Sequence, residues 1–201
     1  MTRTPHAFCA VLIALCMWFS VTTAAQETIP AMVRRGKGMV EGQILREFSP
    51  VGLPELAKDC DLVARVVVVD GRTRLSDDEQ SMNSEYTLQV IDNLFSRRTL
   101  LPGENIIVRK PGGTITIDGY RFTMSESDFP SFEVTDEYIL FLRFDPSTGQ
   151  HVVPYGAQGA FRIVAGGIEQ VSSDTGTWNS ERGRTSLLTF IQELTTILAS
   201  R

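Results

Sequence analysis

Eight consecutive residues, Leu62-Val-Ala-Arg-Val-Val-Val-Val69, constrain the fold of this chain more than any other stretch. The run is dense in β-branched side chains, which fit a pleated surface and crowd a helical turn. Both of its faces are largely apolar, so it predicts a central strand covered on two sides. Segments with a period of two surround it. In Tyr86 to Phe95, the side chains of Tyr86, Leu88 and Val90 point one way and those of Thr87 and Gln89 the other, the pattern of a half-buried strand. Asn105 to Arg109 predicts a short strand ended by Lys-Pro-Gly-Gly. Asp118-Gly119 joins two alternating runs within Thr114 to Thr123 and predicts a tight hairpin, because that turn demands positive φ. Glu137 to Phe144 is a strongly apolar strand, Asp145 to Gly149 carries turn chemistry, and His151 begins the return strand. Phe161 to Val164 and Ile168 to Val171 flank Gly166-Gly167 as a further hairpin. Two stretches predict loops: the polar Asp70 to Ser84, long and exposed, and Asp128 to Asp136.

Two segments have a helical character instead. Leu53 to Cys60 predicts a short helix, with Pro54 in the first turn where proline is tolerated. Leu187, Phe190, Ile191, Leu194, Ile197 and Leu198 fall on one stripe and predict an amphipathic helix over 185–199, capped by Thr185 or Ser186. That stripe is expected to close an open end of the sheet. Residues 51–201 therefore predict a single, mainly β domain: a small antiparallel barrel, or a β-sandwich, of seven or eight strands. A short helix precedes its first core strand and an amphipathic helix ends it. Residues 26–50 lack a period and predict an N-terminal linker or edge segment, with a candidate edge strand between Met39 and Phe48.

The first 25 residues have a different character. Arg3 precedes an apolar run of 13 residues, Ala7 to Phe19, and Thr23 and Ala25 stand at −3 and −1 of a cut between Ala25 and Gln26. A basic start, a short apolar core and a small-residue exit make up a secretory signal. The run falls short of the roughly 20 apolar residues that span a bilayer. The expectation is an exported protein, periplasmic or secreted, with no membrane anchor after cleavage. Without residues 1–25 the chain has 24 acidic and 18 basic residues, a net charge of −6. An acidic domain with no long basic run is a poor partner for nucleic acid. Cys60 is then the one cysteine left, so no internal disulfide forms and the fold depends on its core. Cys60 abuts the apolar run at Leu62 and is expected to be buried.

The order of segments resembles the OB-fold of the netrin-like module, whose best-known members are the tissue inhibitors of metalloproteinases. The residues that carry the resemblance are Cys60 to Val68, Glu85 to Phe95, Ile106-Ile-Val108 and Asp136 to Leu142, within residues 53–165. The phrases Val108 to Gly113, Phe129 to Leu142 and Tyr155 to Ile163 are also similar to uncharacterised secreted bacterial proteins, which implies a fold and no activity. The resemblance implies an OB-like barrel. The inhibitors hold the protease zinc with a mature N-terminal Cys-X-Cys, and the start expected here is Gln26-Glu-Thr28. That mechanism therefore does not carry over to any residue of this chain.

Few residues suggest chemistry. After signal removal His151 is the only histidine, at a turn-to-strand junction, and it is expected to be an ordinary exposed side chain. No Gly-X-Ser-X-Gly elbow occurs, and no catalytic residue is assigned. One His and one Cys cannot make a zinc site. Asp77, Asp78 and Glu79, or Glu126 and Asp128, offer carboxylates for calcium, but without the spacing of a ligand loop they are expected to be solvated. No metal and no cofactor are assigned. Gly112-Gly113 and Gly166-Gly167 are not phosphate loops, because no Lys-Ser/Thr follows them. Tyr155, Gln158 and Phe161, beside Gly156 and Gly159, place aromatic and amide groups near closely approachable backbone and are the candidate ligand-binding residues. OB-type barrels bind on such strand faces. A bulge with Phe161 in the core explains the same residues. The expected function is an exported, non-catalytic binding or interaction module for an extracytoplasmic protein or glycan. A secreted hydrolase using carboxylates is the alternative, and a protease inhibitor by fold analogy is the third.

Overall fold

The computed structural model describes residues 27–36, 40–46, 48–126, 128–172 and 185–200. The secretory-signal reading and the polar stretch 173–184 lie outside these residues. In chain order the elements are α1 (Ile29–Gly36), β1 (Val40–Ile44), α2 (Leu53–Lys58), β2 (Leu62–Leu75), β3 (Met82–Ser96), β4 (Asn105–Pro111), β5 (Gly113–Ile117) and β6 (Tyr120–Glu126). β7 (Glu137–Asp145), β8 (Gln150–Val152), a 3₁₀ turn (Gly156–Gly159), β9 (Ala160–Val164), β10 (Gly167–Gln170) and α3 (Leu187–Ala199) complete them. No helix among the described residues is long and apolar enough to cross a membrane.

Seven strands form one sheet in the order β10-β9-β7-β2-β3-β4-β8, and a further pairing of β7 with β8 closes five of them into an OB-like barrel. The expected barrel is thus present. Its seam is parallel, with Val108 opposite His151 and Arg109 opposite Val152. The remaining strands form a separate sheet in the order β1-β6-β5, in which β1 runs parallel to β6. Neither parallel pairing is visible in hairpin-based reading, since both join strands distant in sequence.

The two apolar faces of β2 have a direct explanation. Leu62, Ala64, Val66 and Val68 fill the barrel with Leu88, Val90, Ile106, Val108 and Leu140. Val63 points outward, into a second cluster with Ile139, Phe141, Phe161 and Ile168, covered by α2 and α3. The C-terminal helix therefore lies on the outer face of β7, β9 and β10 beside α2, and not across an open sheet end, because the apolar outward side chains are there. Ser186 caps it, its Oγ accepting from the Thr189 amide. Cys60 is fully buried in this outer cluster, its thiol donating to the Ala57 carbonyl.

The expected loop at Asp70 to Ser84 is mostly strand. β2 continues to Leu75 and β3 begins at Met82, leaving a turn at residues 76–81. Polar side chains suit this extension because one face is exposed, while Ser84 Oγ donates to the Gly112 carbonyl and Thr73 Oγ1 accepts from the Thr114 amide. These bonds fasten the outer half of the hairpin to the small sheet. A third cluster beneath it joins Ile29 and Val33 of α1 to Met82 and Phe122. Residues 26–50, expected as linker or edge, thus supply one helix and one edge strand.

Candidate functional site

The mouth of the barrel is built from the ends of strands. The inward row of β4 reads Ile106, Val108, Lys110, all buried, so strict alternation takes a lysine into the position where the barrel opens. The following glycines turn the chain out of the barrel. Gly112 has φ +81°, and a Cβ there would run into the Met124 carbonyl. β6 starts on the far side of the small sheet and returns to the mouth, where its last residue, Glu126, is buried like Phe122 four residues earlier.

Lys110 and Glu126 both line a cleft of about 170 Å³ together with Arg46, Arg109, Arg143 and Asn83. A shallower continuation beyond Glu126 is lined by Phe48, Asp128, Tyr155 and Ser172. Lys110 Nζ donates to the Pro111 carbonyl at 3.3 Å and lies 4.6 Å above the Phe129 ring centroid. Such stacking stabilises a desolvated cation, though by less than water would. Burial pushes the Lys110 ammonium down to about 8, with Glu126 opposing the shift and Arg46 adding to it. Burial also raises the Glu126 carboxyl above its ordinary value, against the opposing pull of Lys110 and Arg46. Glu126 Oε1 lies 3.8 Å from Arg46 Nε. Its other oxygen, Oε2, is buried and has no hydrogen-bond partner among the described residues. An acidic chain has therefore gathered four cationic side chains around one buried, half-satisfied carboxylate.

The three sequence-derived candidates do not form a strand face. Tyr155, Gln158 and Phe161 span a 3₁₀ turn and the first residues of β9, because Gly156, at φ +55°, turns the chain where an extended run is expected. Phe161 is fully buried between Phe141 and Phe190 and presents no surface to a ligand. Gln158 is buried too, and its amide is a staple: Oε1 accepts from the Val51 amide at 2.9 Å and Nε2 donates to the Ser49 carbonyl at 3.3 Å. Those bonds hold the segment that carries Arg46 and Phe48 over the cleft. Tyr155, half-buried, donates its hydroxyl to Asp59 and meets Phe48 edge-on. Only Tyr155 reaches the cleft surface with its ring, at the shallow end, while Gln158 lines it as part of the wall.

His151 is buried, contrary to the exposed position expected for it. It packs edge-on against Phe144 at 5.4 Å, on the seam opposite Val108. Burial holds its pKa below the usual imidazole value, and the nearby Arg98 adds to this. Glu126 is likewise not the solvated acid expected from its sequence surroundings. In the Asp77–Glu79 turn, by contrast, Asp78 accepts from the Ser76 hydroxyl and the Gln80 amide at the surface. Among the described residues no three His, Cys, Asp or Glu side chains are grouped as metal ligands.

Lys110 was not singled out in the sequence, and Glu126 was considered only as a solvated carboxylate, although a signal for their burial existed. Continuing the alternation of Ile106 and Val108 by one step reaches Lys110, and continuing Phe122 and Met124 reaches Glu126. Compared with known proteins, the chain matches no family model and no curated protein.

Proposed function

We propose that this protein is an exported, non-catalytic binding module whose recognition site is the cationic cleft at the barrel mouth, and that its ligand presents an anionic group there. One observation carries the reading: Arg46, Arg109, Lys110 and Arg143 converge on a single concave site of a chain whose net charge is negative. Among the described residues Arg109 and Arg143 form no salt bridge within 4 Å, although the Arg109 charge helps to lower the Asp145 carboxyl. β3 and β4, the second and third barrel strands, supply Asn83, Arg109 and Lys110, and OB barrels use that face for ligands. The apolar run Ala7 to Phe19 with Thr23 and Ala25 supports export, to the periplasm or beyond.

The test is titration calorimetry with a panel of small and polymeric anions, including phosphate, sulfate, galacturonate and an acidic glycan. Arg143→Ala and Arg109→Ala should each weaken the best ligand about tenfold, the scale of one charge-assisted hydrogen bond. Absence of binding by every anion, from a folded protein, overturns the reading. A carboxylate-based hydrolase is the second reading, favoured by the Glu126 carboxyl being held toward its protonated form as a general acid requires. Turnover of a glycan or peptide that disappears in Glu126→Gln would put it first.

A further inference from the structure

A purely cationic pocket would suffice to hold an anion, yet this one includes a carboxylate. Glu126 has a side chain only 3% exposed and one oxygen without a hydrogen-bond partner among the described residues. An ionised carboxylate only accepts hydrogen bonds. Opposite a fully deprotonated oxyanion, Oε2 would face another lone pair, which repels at short range in a site of reduced dielectric. Opposite an oxyanion that keeps a proton, the same oxygen gains its missing donor. Lys110 has N–H groups beyond the one given to Pro111, and Arg143 and Arg109 add planar forks suited to two oxygens at once. The residues of the cleft thus include donors for several oxygens of a ligand and, in the buried Oε2 of Glu126, one acceptor that lacks a donor among the described residues.

We propose, resting on the anion-binding reading above, that the cleft selects a protonated tetrahedral oxyanion: monohydrogen phosphate, or the monoprotonated head of a phosphomonoester. Glu126 Oε2 accepts the P–OH hydrogen bond, and Lys110, Arg109 and Arg143 hold the remaining oxygens. Sulfate has the same shape and charge but carries no proton at neutral pH, so it lacks the donor that Glu126 needs.

Calorimetry of the purified full chain with sodium phosphate and sodium sulfate, at pH 7.5 and matched ionic strength, tests this. Phosphate should bind about tenfold or more tightly than sulfate, the worth of a hydrogen bond to a buried charged group. In Glu126→Gln the amide can turn an N–H toward sulfate, so the preference should fall to about threefold or less, with sulfate gaining. Should that variant fail to fold, ligand chemistry answers the question: at pH 6.5, where much of methyl phosphate still retains a P–OH and the carboxylate is better kept ionised, methyl phosphate should compete with phosphate, and dimethyl phosphate, which has no P–OH, should not. Methyl phosphate binding only as its dianion, with phosphate excluded, would point to an ester pocket and overturn the proposal. Equal affinity of the wild type for phosphate and sulfate overturns the proton selectivity and leaves the anion site standing. Failure of both anions, together with the rest of the panel, overturns both.

Discussion

Lys110 and Glu126 enter one cleft from β4 and β6, each 4% exposed, and among the described residues each makes a polar contact elsewhere: the lysine with the Pro111 carbonyl, the glutamate with Arg46. Their mutual attraction offsets part of the cost of burying both charges. Glu126→Leu removes that compensation from a lysine whose charged form burial already disfavours, and should lower stability at pH 7 by about 2 kcal/mol. Lys110→Met combined with Glu126→Leu should recover at least half of the loss. Urea unfolding of the two single variants and the double variant measures the coupling, and a strictly additive double variant would show that the two charges do not sense one another.

The same lysine gives stability a rise on the alkaline side. Its ammonium titrates at about 8 in the folded protein against 10.5 in the unfolded chain. Between those values the unfolded state binds more protons, so this group makes the protein more stable as pH rises from about 8 to 10.5. Anion affinity should decline over the same range as the cleft loses a cation. His151 acts at the other end. Its folded pKa lies below the 6.5 of a free imidazole, so its contribution is present above 6.5 and is lost as pH falls through the folded value. Denaturation midpoints from pH 4 to 10 should therefore flatten at the alkaline end in Lys110→Met and at the acid end in His151→Gln.

Gln158 should behave as a fastener. Replacing it with Ala removes its bonds to the Val51 amide and the Ser49 carbonyl, which should cost about 2 kcal/mol. The loss should be local before it is global. Hydrogen exchange at Val51 should accelerate, and anion affinity should weaken because Arg46 is carried by the released segment, while amides in β2 keep their protection.

Two glycines with almost the same backbone angle should respond differently to alanine. Gly119 has φ +82° with no atom within 4 Å of the added methyl, so Gly119→Ala should cost only the left-handed strain of about 1 kcal/mol. Gly112 has φ +81°, but its methyl would strike the Met124 carbonyl, so Gly112→Ala should cost about 3 kcal/mol and disturb Lys110 two residues away. Chemical denaturation with anion titration on both variants separates strain from collision.

The sequence made the barrel legible and hid its mouth, for physical reasons that particular residues illustrate. Alternation in Tyr86 to Val90 and the Asp118-Gly119 turn each depend on neighbours in the chain, and both appear as expected: Asp118 and Gly119 take φ of 51° and 82°. The double-sided apolar run at Leu62 correctly implied cover on both faces. What local pattern could not supply was partnership across the chain. β1 joins β6, and β4 joins β8, in parallel registers that no turn dictates. Thr73 and Ser84 look like loop because their support comes from far along the chain: Thr114 lies 41 residues beyond Thr73, and Gly112 28 beyond Ser84. The candidate site was missed for a related reason. Lys110 and Glu126 have polar side chains at inward positions, and hydrophobic period ends wherever charge begins. Phe161 was singled out for its glycine-rich surroundings, but those glycines shape a turn that tucks the ring inward.

The seam of the barrel comprises only two rungs, Val108 with His151 and Arg109 with Val152. A hoop parts first at its shortest joint, so thermal breathing of this molecule should concentrate there. The joint also forms one lip of the cleft, through Arg109 and Val152. A guest gripped by Arg109 on one side and Arg143 on the other would act as a rivet across the gap. On the anion-binding reading, occupancy would hold the hoop closed, and slow amide exchange at Val152 would gauge how full the cleft is.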